Sequence, residues 1–84
     1  MQLDLFPDTV HLQSVDPSRN RARFYAMAVM RDLFGAWVLV RRWGRIGTSG
    51  RSATTVFSSS AEALAALEET ARAKARRGYG RQEA

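Results

Sequence analysis

Ala36-Trp37-Val38-Leu39-Val40-Arg41-Arg42-Trp43-Gly44-Arg45-Ile46-Gly47 is the stretch whose pattern settles the fold. Its β-branched and aromatic residues put apolar side chains on both faces as far as Arg41, which predicts a strand lying centrally in a sheet. At the strand end Trp43 and Arg45 flank Gly44, so an indole and guanidinium groups are delivered to one edge of that sheet. Gly44, Gly47 and Gly50 punctuate the next connection, and Arg51 to Phe57, with Thr54, Thr55 and Val56, reads as a following strand.

Upstream, Thr9 to Val15 alternates Val10 and Leu12 with Thr9, His11 and Gln13, the signature of a short half-buried strand. Asp16-Pro17-Ser18-Arg19-Asn20 is a turn by composition. Arg21 to Arg31 then places Tyr25, Met27 and Val29 on one face and Phe24, Ala26, Ala28 and Met30 on the other. Downstream of three serines, Ser59 and Glu62 have capping-box spacing, and Leu64, Leu67, Ala71 and Ala75 recur at helical intervals. A helix is predicted from about Ser60 to Arg77. Its acidic residues precede its basic ones, as the helix dipole favours, and Gly78 is placed to end it. The expected fold is α+β: a small antiparallel sheet of about four strands with one C-terminal helix packed across it. Residues 1–8 and 80–84 read as tails around one domain at 9–79, with Met27, Val29, Leu39, Leu64 and Leu67 in its core.

Eighty-four residues allow one small core. The chain has no cysteine and a single histidine, His11, which removes disulfides, thiol catalysis and the usual zinc ligand sets. No apolar run approaches the ~20 residues of a membrane helix, and Met1 to Pro7 lacks the regions of a signal peptide. A cytoplasmic protein without metal or small-molecule cofactor is the simplest expectation, with nucleoid association as the alternative location. The formal charge is +5, and the excess is concentrated: Arg19 to Arg51 holds eight arginines against Asp32 alone. Such clustering points to a polyanion-facing patch. Arginine supplies twelve of the thirteen basic residues, which suits bidentate phosphate contacts, although a genome rich in G and C gives the same ratio.

Catalytic arrangements are missing from the inventory. The carboxylates are scattered, no serine stands in a nucleophile elbow, and the glycines at 44, 47 and 50 lack the Lys-Ser/Thr of a phosphate-cradling loop. The chain is therefore expected to bind rather than catalyse. Trp43 suits stacking on an exposed terminal sugar or base, with a core-pinning role as the alternative. Gly44 lets a ligand or a neighbouring backbone approach closely. Arg45 suits a forked phosphate contact, the alternative being hydrogen bonds to its loop's own carbonyls.

From Val10 to Tyr79 the chain resembles the WGR domain, the module beside the catalytic domain of DNA-dependent poly(ADP-ribose) polymerases. The match is carried in order by Arg23-Phe24-Tyr25, by Trp37, by Arg42-Trp43-Gly44-Arg45-Ile46-Gly47, by Gly50, by Glu62-Ala63, and by Lys74-Ala75-Arg76-Arg77-Gly78-Tyr79. In the polymerases this module recognises broken DNA near a 5′ terminus and relays it to a catalytic domain, which this chain does not contain. The resemblance implies nucleic-acid contacts at Trp43, Gly44 and Arg45, with Arg42 and Arg23 at basic positions and Asn20 at a polar one. Arg21, Arg41 and Arg51 add to the same local field, and Tyr79 is expected as a lid on the core. DNA ends or nicks are the expected partner. Two alternatives use the same basic, tryptophan-bearing surface: an adaptor for a protein partner in trans, or a single-strand or RNA binder. Size and Arg/Ala-rich composition point to a bacterial source.

Overall fold

Strand alternation sorts the side chains into two layers before any helix is considered. In the computed structural model, which describes residues 8–82, the chain runs β1 Thr9–Asp16, β2 Arg21–Arg31, β3 Trp37–Arg45, β4 Arg51–Phe57, α1 Ser60–Arg76 and β5 Gly80–Arg81. The sheet order is β4-β3-β2-β1-β5 and every pairing is antiparallel. Of the tail expected at residues 1–8, residues 1–7 lie outside the described residues, while Asp8 O accepts from Val29 N at 3.0 Å.

Register fixes the faces. Leu12 stands opposite Tyr25, Tyr25 opposite Trp43, and Val29 opposite Leu39, so these side chains share one face. On that face Val10, Leu12, Tyr25, Met27, Val29 and Leu39 join Ala63, Leu67 and Ala71 of α1 in a single buried cluster. The helix therefore covers one side of the sheet. It presents Ala63, Leu67 and Ala71 rather than the expected line through Leu64 and Ala75; Leu64 is 37% exposed while Ala63 and Leu67 are fully buried. Only Ser58 and Ser59 connect β4 to α1. So short a link brings the first helical turn close to the sheet, where a methyl group fits better than a leucine.

Ser59 caps the helix by accepting a 3.2 Å hydrogen bond from Glu62 N. The Glu62 carboxylate reaches back to Ser58, accepting from its backbone N and its hydroxyl. Ser59→Ala should lower folding stability by about 1 kcal/mol in urea denaturation; an unchanged midpoint would show that the Ser58–Glu62 bonds suffice. At the other end Gly78 N donates to Ala75 O and Tyr79 N to Lys74 O, with Gly78 at φ +95°. This paired pattern reverses the chain. It drops the half-buried Tyr79 onto the core and leads into β5, where Gln82 N donates to His11 O at 2.7 Å. The segment expected as a C-terminal tail thus adds a fifth, two-residue strand, too short for any periodicity to announce.

The β2–β3 hairpin is tied by Asp32, whose carboxylate accepts from the N–H groups of Phe34 and Ala36. Its tip leaves Leu33 and Phe34 almost wholly exposed. Among the described residues no helix is long and apolar enough to cross a membrane.

Candidate nucleic-acid interface

The helix-covered face continues past the core into a different chemistry. Beyond Leu12, Tyr25 and Leu39, the same alternation brings Ser14, Arg21, Arg23, Arg41, Trp43, Arg45 and Arg51 to one end of the sheet, on the side of the helix C-terminus. Three rings form its wall. Tyr25 stacks on Trp43 with centroids 5.9 Å apart and planes at 20°, and Tyr79 meets Tyr25 edge-on at 6.4 Å.

Cations surround these rings. The Lys74 ammonium lies 4.4 Å from the Tyr25 centroid and 5.4 Å from that of Tyr79. The Arg41 guanidinium is 5.9 Å from Trp43, and that of Arg21 is 5.9 Å from Tyr79. Arg21 Nε also donates to Ser14 Oγ at 2.7 Å. Arg41 Nε is buried without a hydrogen-bond partner among the described residues. The ion pairs of the described residues, Arg19 with Asp16 and Arg81 with Glu68, include none of these cations. Among the described residues these cations lie in cation–π contact without an ion pair, although the register sets Asp16, which pairs with Arg19, opposite Arg21.

Lys74 registers the crowding. Burial first, then Arg77, Arg23 and Arg41, lowers its pKa from the ordinary 10.5. The unfolded chain then binds the Lys74 proton more tightly than the folded one, so this group's cost is fully present below the folded pKa. It is relieved as pH rises from there to 10.5. Stability should rise over that alkaline window in the native chain relative to Lys74→Met, measured as paired urea midpoints. Parallel pH curves would contradict it.

The expected contact residues separate on this frame. Arg23, Arg41, Trp43, Arg45 and Arg21 gather at the helix-side end, and Arg51 flanks them opposite Trp43. Asn20, left-handed at φ 55°, sits beside them: Arg45 donates to its carbonyl at 3.4 Å and to its Oδ1 at 3.2 Å. Arg45 is thus held by the β1–β2 turn, not by carbonyls of its own loop. Trp43 is half-buried against the core, so it both pins the strand and leaves part of its ring accessible. Gly44 makes room for backbone: a Cβ there would stand 2.8 Å from Gly50 Cα. Arg42 points to the opposite face, where its guanidinium lies 5.0 Å from the Phe24 centroid and donates to Ser49 O at 3.0 Å.

Sequence reasoning missed Lys74, Tyr25 and Ser14 as members of this cluster. One signal was present: Lys74 continues the sheet-facing helical line of Ala63, Leu67 and Ala71, and it is the sole lysine of the chain. A cation at a core-facing position needs a local reason. Here that reason is the ring pair beneath it.

A family model for the WGR domain matches residues 8–84. The uncharacterized protein y4dW of Sinorhizobium fredii (strain NBRC 101917 / NGR234) is 41% identical over 73 residues, covering 87% of this chain and 36% of that protein. The chain thus spans little more than a third of that relative's length. No solved structure matches it.

Proposed function

The chain belongs to the WGR domain family, whose members are generally nucleic-acid-binding modules, and from that premise we propose that it binds DNA at ends or nicks without catalysing a reaction on it. The observation that carries the reading is the helix-side cluster. Cations from β2, β3 and α1 surround three aromatic rings, and among the described residues no carboxylate is ion-paired to them. Phosphates are the complementary ligands, and such contacts position a duplex without reading its sequence. The accessible part of Trp43 supplies what an intact duplex cannot use, a flat surface for a terminal sugar or base. Preference for a break over continuous duplex follows from that ring.

Fluorescence anisotropy with a 5′-phosphorylated nicked duplex, a closed circular duplex and a single strand tests the reading. The nicked duplex should bind tightest. Arg41→Gln should weaken all duplex binding, whereas Trp43→Phe, which keeps an apolar ring in the core, should reduce the preference for the nick. Equal affinity for nicked and closed duplex would remove break recognition, and no binding at low salt would leave a protein partner in trans as the better reading.

A further inference from the structure

We propose that the sheet face opposite the helix holds a second site, which takes one unpaired nucleotide base. The proposal rests on the nucleic-acid reading above only for the source of that base. A depression of about 270 Å³ lies on this face, lined by His11, Gln13, Phe24, Arg42, Ile46 and Thr48 among others. Its shape follows from three local facts. Ala26 gives β2 a low floor between its neighbours. The close approach of Gly44 and Gly50 folds the β3–β4 turn, so that Ile46 and Thr48 form one wall. His11 and Gln13, two residues apart on β1, share a face and form the other.

The lining selects a planar heterocycle with polar edges. Arg42 lies over Phe24 at 5.0 Å and is steadied by its bond to Ser49 O, presenting a flat cationic surface for stacking. His11 and Gln13 offer both donors and acceptors to a base edge. Thr48 Oγ1 donates to Arg45 O and keeps its capacity to accept. Among the described residues no carboxylate lines the depression and Arg42 is the arginine that does, so a neighbouring phosphate meets a cation there. The two sites are linked through the chain: Arg42 and Trp43 are consecutive on β3 and serve opposite faces, so a strand crossing this end of the sheet meets both. A flap or overhang beside a break is the form of DNA that supplies an unpaired base there.

Isotope-labelled protein should be titrated, with NMR detection, against a nicked duplex and the same duplex carrying a short unpaired flap. The flap should add shifts at His11, Gln13, Phe24 and Arg42 to those at Trp43 and Lys74, and tighten binding about tenfold. Arg42→Gln and Phe24→Leu should each bring the flap-to-nick affinity ratio close to one, read within each variant so that altered stability or basal affinity cancels. Flap DNA that shifts helix-side resonances alone, or a ratio that survives both variants, overturns the second site while leaving the break-binding reading intact. Shifts confined to the open face would overturn that reading and keep this one, and no shifts on either face would remove both.

Discussion

Gly50→Ala should destabilise the fold by about 3 kcal/mol, the sum of ~1–2 for a left-handed backbone and ~1–3 for overpacking. Gly50 sits at φ +72°, and a Cβ there would run into the carbonyl oxygen of Trp43 and stand 2.9 Å from Phe24 Cζ. The carbonyl is backbone and cannot turn aside, whereas Phe24 Cζ is a ring end that yields only by turning under Arg42. The carbonyl belongs to β3 where that strand meets β4, and Phe24 is held in β2. In a domain of this size a loss of 3 kcal/mol is a large share of a total of roughly 5. Gly47→Ala separates the two causes. Gly47 has φ +98° but nothing within 4 Å of its Cβ position, so its replacement should cost only about 1 kcal/mol. Equal urea midpoints for the two variants would mean that the turn opens freely and that Gly50 is not required to be small.

Four of the five strands were legible in the sequence, β1 and β2 from a period of two, β3 and β4 from β-rich runs, with turn residues between them. β2 and β4 have their expected limits. The site was legible as composition more than as geometry. Arginines clustered in sequence from Arg19 to Arg51, but a strand divides its neighbours between two faces, and Arg41 and Arg42 part company for that reason alone. Which side the helix would cover could not be read from β3, whose two faces are both apolar. It followed from the register with β2 and from the line of Ala63, Leu67 and Ala71. Lys74 and Tyr79 join the site through the helix C-terminus, whose position over Tyr25 is a tertiary fact with two local traces, the glycine at 78 and a sole lysine on the sheet-facing helical line.

This arrangement also separates what holds the fold from what meets a ligand. Trp43 and Tyr25 belong to both, since their rings pack on the core cluster and carry cations at its rim. Replacing either by alanine would confuse a lost contact with a weakened core. The arginines give cleaner tests, because a glutamine keeps most of the stem that lies along the rings while removing the charge.

Binding to a nicked duplex should fall about 150-fold between roughly 50 and 200 mM salt. The figure assumes that about four of the helix-side cations each neutralise one phosphate, giving a slope of about −3.6 in log affinity against log salt. Arg21, Arg23, Arg41, Lys74 and Arg77 are the available charges beside Arg45, which Asn20 already engages. Arg23→Gln combined with Arg41→Gln should flatten the slope by about 2. One property of the cluster makes this more than a general polycation effect. Its cations are held against rings and near one another: burial first, and then Arg77, Arg23 and Arg41, lower the Lys74 pKa, so an incoming phosphate offsets the repulsive part as well as gaining contacts. Binding should therefore draw a proton onto Lys74 at alkaline pH, and affinity should weaken there faster for the native chain than for Lys74→Met. A protein partner meeting this end through Trp43 and Tyr79 would give a shallow salt dependence and no charge-linked proton uptake. A slope near zero in the native chain would thus move the assignment from nucleic acid to protein.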